Sequence, residues 1–315
     1  MTSTRFRILP LVALTATVMA CGDDEPGFPK TVDPGIFSRL GEARRNATPE
    51  ELEIFERGRQ VALRRFTIED GLGNPGFNVT FCAGCHEKPV FGGAAGRYRD
   101  FQLVGQVTEL GYFPTGFAGI QQTYSASPDG PVYVETDGET NHFARRSPIP
   151  FFGVGLINEL PASAILANED PDDADGDGIS GRANQIGELI GKFGRKAQTV
   201  SIEGFIRGPL FNHVGITSNP LTEAEREALP GIRPDDVGFA AQGIAVSRRG
   251  QSALADAPVT DDDVADDPEL SPGDLFDLVA FTLLMGAPEP DDLTPEPATG
   301  KALFEQGDCE RCHGA

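Results

Sequence analysis

Two segments of the chain place apolar residues at the spacing of one helix face. The first, residues 48–66, opens with Thr48 at an N-cap position and Glu51 three residues later, which is the pattern of a capping box. Its apolar positions are Leu52, Phe55, Val61, Ala62 and Phe66. The second segment begins at Ser271, and its apolar positions are Leu275, Leu278, Val279, Leu283 and Leu284. We predict one helix in each segment.

The hydrophobic pattern between these two helices is weak. Residues 98–160 contain short strand-like pieces such as 131–134, but no sustained alternation of apolar and polar residues. Thr222 and Glu225 match a second capping box, and residues 259–268 are typical of an acidic, solvated loop. The pattern therefore predicts a chain that is mainly α, with a long irregular insertion that contains some β structure.

The N-terminal residues have the features of a secretory signal. Arg5 and Arg7 precede an apolar run, residues 8–20, that is too short to cross a bilayer comfortably. Residues 18–21 end in Cys21 and resemble a bacterial lipobox. We expect a signal peptide over residues 1–20, a lipid on Cys21 that anchors the protein on the periplasmic side of the cell envelope, and a linker over 21–47. The alternative is an ordinary signal peptide followed by a chance cysteine.

Two short motifs have the form C-x-x-C-H. They consist of Cys82, Cys85 and His86, and of Cys309, Cys312 and His313. Two thiols at this spacing can reach the vinyl groups on one edge of a porphyrin, and the adjoining imidazole can then bind the iron. The motifs therefore predict two covalent c-type haems. A zinc site built from C-x-x-C pairs is the alternative interpretation.

Charge and cysteine content narrow the class of protein. The chain contains five cysteines, and only Cys21 lies outside the two motifs, so no cysteine remains for a disulfide. The formal net charge of −22 disfavours binding to nucleic acid and to anionic lipid, so we expect membrane contact through the lipid anchor alone. The same charge would attract a basic partner such as a small cationic electron carrier. It is equally compatible with a role in solubility alone.

The histidines outside the motifs are candidate groups for the chemistry. The chain contains four histidines, and only His142 and His213 are not motif ligands. A haem iron takes a second axial ligand from His or Met, or keeps that position open for reaction. Met285 is the one methionine outside the signal segment, which disfavours His/Met ligation within this chain. His142 and His213 are therefore candidates for an axial ligand or an acid–base group, although a structural role is the commoner fate of such residues.

An acidic loop in the middle of the chain has the spacing of a calcium site. Carboxylates at Asp173, Asp175 and Asp177, with the carbonyl of Ile179, can converge on one hard cation. Asn184 stands where an EF-hand would place its bidentate Glu, so we predict a calcium loop of another scaffold. A plain acidic turn is the alternative.

Beyond these motifs, the chain resembles a bacterial family of di-haem oxidoreductases that is related to the di-haem cytochrome c peroxidases. The stretches that carry the likeness are 71–73, 77–78 and 92–93 around the first motif, and then 146–150, 153–157, 175–182, 191–197 and 215–218. The resemblance implies cytochrome c-like modules, two haems, a calcium ion and electron transfer. In the peroxidases, one haem accepts electrons from a donor and the other cleaves peroxide at an open site. The absence of Trp departs from their aromatic relay between the haems.

This resemblance implies two modules. We expect the first over residues 48–290, with the calcium loop as an insertion, and the start of the second over 291–315. A cytochrome module continues well past its motif, so we expect a C-terminal module that is truncated and incomplete here.

The sequence supports three hypotheses about function. The first is a di-haem oxidoreductase that reduces peroxide with electrons from a donor protein. The second is a periplasmic electron carrier without catalytic activity. The third is a binding lipoprotein that zinc and calcium stabilise.

Overall fold

The computed structural model describes residues 34–116, 118–127, 140–174, 176–231, 261, 263, 265–289 and 295–309. The predicted strand piece at 131–134 lies outside these residues. Contacts group residues 33–315 into one compact unit, to which all of the described residues belong. The division into modules at residue 290 stays a prediction.

Both helices that the pattern predicts are present and begin where their capping residues indicate. Helix α1 covers Pro49–Leu63, and Thr48 and Glu51 form the capping box. The C-terminal helix of the pair, α6, covers Pro272–Leu284, and the Ser271 hydroxyl caps it by accepting from the Asp274 amide. These two starts are confirmed. The prediction that Leu52 belongs to the apolar face of α1 is wrong, because this side chain is exposed.

Five further helices lie among the described residues: α2 Val154–Glu159, α3 Ala162–Leu166, α4 Ile202–Pro209, α5 Glu223–Glu227 and α7 Pro295–Gln306. A single π-helical turn, Leu210–Val214, continues α4. The capping box at Thr222 and Glu225 that starts α5 is confirmed. Among the helices described, none has both the length and the apolar character that crossing a membrane demands.

The strands form four small sheets within the described residues. In the largest, β3 (Phe101–Thr108) pairs antiparallel with β4 (Gly111–Pro114), β5 (Ile120–Gln121) and β7 (His142–Arg146). The other pairs are β1 (Phe37–Ser38) with β10 (Ala287–Pro288), β2 (Gly76–Phe77) with β6 (Tyr124–Ser125), and β8 (Gln185–Ile186) with β9 (Leu189–Ile190).

The predicted mainly α, cytochrome-like fold class is therefore wrong, because the structure is a mixed α/β fold with several sheets. The sequence pattern missed these strands because the largest sheet is exposed to solvent. All four residues of β4 are exposed, and β7 has three exposed and two half-buried residues and no buried apolar face. A strand that buries no face has no need of alternating apolar residues, so its sequence carries no signal of period two.

The core lies between α1, α6 and the segments that pack on them. One buried cluster joins α6 to the segment 66–79 and to residues between Ile202 of α4 and Leu229, which follows α5. A second cluster joins α1 to α6 through Phe55, Phe281 and Met285, and Cys82 of the first motif packs against it. The helix pair therefore forms the base on which the first motif is placed.

Candidate functional site

The first motif folds as a single helical turn. Residues Cys82–Gly84 form a 3-10 turn, and the amides of Cys85 and His86 both donate to the carbonyl of Cys82, at 3.1 and 3.2 Å. A Cβ at Gly84 would lie 2.5 Å from a methyl carbon of Val79, so the turn has no room for a larger residue there. Both cysteines are free thiols in this compact turn.

The surroundings of the two thiols keep them protonated. Burial, with a smaller contribution from the neighbouring thiol of Cys85, raises the pKa of Cys82 to about 12. Burial also raises the pKa of Cys85, and the nearby guanidinium of Arg99 opposes that shift. Both shifts favour the protonated thiols, the form that adds to the vinyl groups of a porphyrin.

His86 is oriented as a metal ligand would be. Its Nδ1 lies 3.1 Å from the carbonyl oxygen of Gly93, which can only accept, so Nδ1 carries the proton and Nε2 keeps its lone pair. Burial lowers the pKa of His86, and the hydrogen bond to the Gly93 carbonyl, with a smaller contribution from the Ile149 backbone, counters this shift only in part. The imidazole is therefore biased towards the neutral form, which binds iron.

Aromatic rings enclose the side of the site around His86. Phe151 meets the imidazole edge-on with ring centroids 4.8 Å apart, and it packs in turn against Phe281 at 6.1 Å. Phe91 stacks on Phe281 at 5.4 Å. Met285 is buried in the same cluster, and a Cβ at Gly92 would lie 2.5 Å from its sulfur. This wall is apolar throughout, as the lining of a porphyrin site must be.

His213 lies on the π-helical turn after α4, 135 positions from Asn78, yet the two residues are in direct contact. The Asn78 amide nitrogen is 3.1 Å from Nδ1 of His213, and the Asn78 backbone N–H donates to the His213 carbonyl at 2.7 Å. The ring of Phe101 meets the imidazole edge-on at 4.5 Å.

The segment that leads into the first motif holds His213 next to that motif. The amides of Asn78 and Val79 both donate to the His213 carbonyl, at 2.7 and 3.3 Å, and a Cβ at Gly84 of the motif would lie 2.5 Å from a methyl carbon of Val79. Burial, and then the charge of His86, lower the pKa of His213 to about 4, so this imidazole is neutral at physiological pH.

Buried polar side chains line the region beside His213. Gln122 is 2% exposed and donates to the carbonyl of Asn212 at 3.4 Å, and Asn212 has a buried Oδ1 without a hydrogen-bond partner in the part of the chain described. The Thr123 hydroxyl donates to Oδ1 of Asn78 at 2.8 Å. Sequence reasoning did not single out these residues, because nothing in their spacing shows that distant loops bring them to one place.

His142 occupies a different environment. It lies on the exposed strand β7, and its ring meets Tyr112 edge-on with centroids 5.9 Å apart. Its described contacts do not include His86 or His213, so of the two candidate histidines the structure brings only His213 to the first motif.

The second motif and the lipidation site are described only in part. Cys309 follows α7 and is exposed, with its sulfur 3.7 Å from the carbonyl oxygen of Gly307. Cys312 and His313 lie outside the described residues, and so does Cys21.

The predicted calcium loop is closed at its base by a bridge between Asp170 and Gly181. The carboxylate of Asp173 accepts from the Gly178 amide at 3.0 Å, and that of Asp177 accepts from the Ile179 amide at 2.7 Å. Asp175 lies outside the described residues, so its position relative to these groups stays a prediction.

The structure also assembles a second acidic group that sequence reasoning missed. Carboxylate oxygens of Asp261, Asp267 and Glu269 lie within 4.8 Å of one another, close enough to hold one metal ion. The hydroxyl of Thr217 hydrogen-bonds to both Asp267 and Glu269. Burial raises the pKa of Glu269, and its hydrogen bonds to Thr217 oppose the shift.

Residues around the first motif fit a covalently bound haem. Two adjacent protonated thiols can form thioethers, a neutral imidazole keeps Nε2 available for iron, and the aromatic wall supplies an apolar surface.

Comparison with known families agrees with this chemistry. A family model described as "Di-haem oxidoreductase, putative peroxidase" matches residues 137–315, which is more than half of the chain. The matched range contains the second motif, His142 and His213, and begins after the first motif. No curated protein and no solved structure matches the chain significantly.

Proposed function

Since this chain belongs to the family of di-haem oxidoreductases, we propose that it reduces peroxide at the first haem site with electrons from an external donor. One observation carries the proposal. His86 has its Nε2 available for iron, while His213, a second imidazole, is held through its carbonyl by the amides of Asn78 and Val79, in the segment that leads into the first motif. One imidazole can hold the iron and the other can contact a substrate, which is the arrangement a haem peroxidase needs.

The residues of the first motif would hold the haem. Cys82 and Cys85 would form the thioethers and Nε2 of His86 would bind the iron, while Nδ1 of His86 stays fixed on the Gly93 carbonyl. When bound, the haem supplies the centre that takes up and passes on electrons. The rings of Phe91, Phe151 and Phe281 exclude water from the His86 side.

His213 contributes the polar group on the substrate side. Its low pKa keeps it uncharged, and its Nε2 can hydrogen-bond to a peroxide oxygen. Two electrons and two protons convert hydrogen peroxide into two molecules of water, so solvent must supply protons to this region. Gln122 and Asn212 provide buried polar groups beside His213 that could hold such water.

The second motif would provide the entry point for electrons. Cys309, Cys312 and His313 would hold a second haem, at which electrons from the donor protein would enter. The formal net charge of −22 favours a basic donor, such as a small cationic cytochrome, because opposite charges steer the encounter.

The remaining parts of the proposal concern placement and stability. A lipid on Cys21 would anchor the protein on the periplasmic side of the cell envelope, where c-type haems are attached. A calcium ion would bind the loop between Asp170 and Gly181, whose base is already closed. Neither the acidic surface nor the site chemistry favours nucleic acid as a partner.

The test uses the full chain, expressed with a periplasmic haem-attachment system. We expect a pyridine haemochrome assay to give two haems per chain, and hydrogen peroxide to be consumed when a reduced donor is present. The double variant Cys82→Ser/Cys85→Ser should lose one haem and all turnover, whereas Cys309→Ser/Cys312→Ser should lose the other haem and the electrons it delivers.

Two results would contradict the proposal. If both haems load but peroxide is not consumed and both irons are six-coordinate, the protein is an electron carrier. If the protein is colourless and its thiols hold zinc, it is a metal-stabilised binding protein.

A further inference from the structure

Asn78 contacts His213 through both its backbone and its side chain. The backbone N–H donates to the His213 carbonyl at 2.7 Å, and the side-chain amide nitrogen lies 3.1 Å from Nδ1 of the ring. Phe101 meets the imidazole edge-on at 4.5 Å. Asn78, which belongs to the segment that leads into the first motif, therefore holds both the main chain and the ring of His213.

The orientation of the Asn78 amide is set on its other side. The Thr123 hydroxyl donates to Oδ1 of Asn78 at 2.8 Å, which turns the amide nitrogen towards His213. An amide nitrogen can only donate a hydrogen bond, so Nδ1 of His213 must accept it. A neutral imidazole carries one proton, and with Nδ1 accepting, this proton is on Nε2.

The two histidines of the site therefore have opposite tautomers. Nδ1 of His86 donates to the Gly93 carbonyl, which leaves a lone pair on Nε2. Nδ1 of His213 accepts from Asn78, which leaves an N–H group at Nε2. In the part of the chain that the structure describes, no hydrogen-bonding group meets Nε2 of His213.

We propose that Asn78 is a positioning residue that holds the proton of His213 on Nε2, so that His213 donates a hydrogen bond to peroxide and does not bind the iron. An imidazole binds a metal through a lone pair, and Nε2–H has none to offer. Asn78 would thereby leave an iron that His86 holds free to react with peroxide. This inference rests on the proposed function, because it places His213 on the substrate side of the first haem.

The first test replaces His213 by Gln in the full-length, haem-loaded protein and measures the ferric iron by electron paramagnetic resonance. We expect wild type to contain a high-spin haem, and the low-spin signal per chain to be the same in His213→Gln. Turnover of hydrogen peroxide should fall by about 100-fold, the usual loss for a group that handles protons. Loss of one low-spin haem in this variant would show that His213 is an axial ligand and would overturn the inference.

The second test reverses the hydrogen bond. In Asn78→Asp the carboxylate can only accept, so Nδ1 of His213 must donate and Nε2 acquires a lone pair. We expect one haem per chain to change from high spin to low spin, as His213 binds the iron. Unchanged spin states at normal haem content would overturn the inference. Asn168→Asp is the matched control, because it adds the same charge at an exposed position and should leave the spectrum unchanged.

If Asn78→Asp does not accumulate, the His213→Gln measurement decides alone. Spin state and turnover also distinguish a failure of the proposed peroxidase function from a failure of the role proposed for Asn78. A wild-type protein that has a high-spin haem, keeps its spectrum in His213→Gln and consumes no peroxide would contradict the proposed function while leaving the tautomer assignment intact.

Discussion

A Cβ built on Gly58 would lie 2.0 Å from the carbonyl oxygen of Asp277, so α1 and α6 touch backbone to backbone at this point. Next to it, the ring of Phe55 meets that of Phe281 with centroids 4.8 Å apart. Cys82 packs against the cluster that these rings form. The crossing of the two helices therefore determines where the first motif sits.

We predict that Gly58→Ala destabilises the protein by about 3 kcal/mol, because the methyl group can be accommodated only if the helices move apart. The free energy of unfolding of the haem-loaded protein, from denaturant titration, measures the effect. Gly273→Ala is the control, since Gly273 is exposed on α6, the other helix of the pair, and a Cβ there would meet only the Ser271 hydroxyl at 4.0 Å. This control should be neutral or stabilise by up to about 1 kcal/mol. Equal stabilities of the two variants would mean that the helices are not in close contact.

The elements that could be predicted are those whose signals are local. The Thr48 hydroxyl accepts from the Glu51 amide, and the Glu51 carboxylate accepts from the Thr48 amide, within four consecutive residues. All five apolar positions predicted for α6 are buried, because that helix packs on several neighbours. Leu52 follows the same spacing but faces solvent, since α1 has only one covered side.

The parts that could not be predicted depend on distant contacts. The motif identified Cys82, Cys85 and His86 as a group, because their spacing is itself the signal. Composition singled out His213 as a rare residue, but nothing local showed that it contacts Asn78, 135 positions away. The acidic group at Asp267 and Glu269 is likewise assembled by Thr217, on a separate segment.

A buried ion pair provides a second prediction about stability. Arg226 donates to Glu203 at 2.7 Å, and Glu203 also accepts from the Leu221 amide at 2.8 Å. Both side chains of the pair are nearly inaccessible to solvent, at 11% and 6% exposure. Arg226→Met would leave the Glu203 charge buried without its main partner. We expect the free energy of unfolding, measured by denaturant titration, to fall by about 3–5 kcal/mol.

The control for this ion pair is Arg45→Met. Arg45 pairs with Glu289 at 2.7 Å, but both side chains are more than half exposed, so water screens their interaction. We expect the midpoint of thermal unfolding to stay at the wild-type value. Similar losses in Arg226→Met and Arg45→Met would show that Glu203 is not buried.

Glu269 gives the stability a defined pH dependence. Burial raises its pKa above the ordinary value of 4.5, so the folded state holds this proton more tightly than the unfolded state. The stability that Glu269 gains from this tighter proton binding is fully present below pH 4.5, and it is lost as pH rises through the raised pKa. We predict that Glu269→Gln, which stays uncharged and keeps an acceptor for Thr217, melts at a higher temperature than wild type at pH 7, and that the difference shrinks towards pH 4.

This comparison is made in the presence of a chelator, so that no cation neutralises the carboxylates. Glu188→Gln serves as the control because Glu188 is exposed on the turn between β8 and β9. Its melting temperature should follow wild type at every pH. A Glu269→Gln protein that is less stable than wild type at pH 7 would show that the charged form of Glu269 is the favoured one.

The last prediction concerns the calcium loop, where the Asp173 and Asp177 carboxylates already accept backbone amides and so shape the loop before an ion binds. If calcium binds there, it stabilises only the folded state, by about 2.7 kcal/mol at a concentration 100-fold above its dissociation constant. We expect a chelator to lower the melting temperature of wild type, and calcium to restore it. Asp177→Asn should lose this response, whereas Glu188→Gln should keep it. A response that survives in Asp177→Asn but disappears in Glu269→Gln would instead assign the ion to the group of Asp261, Asp267 and Glu269, which can also hold a metal.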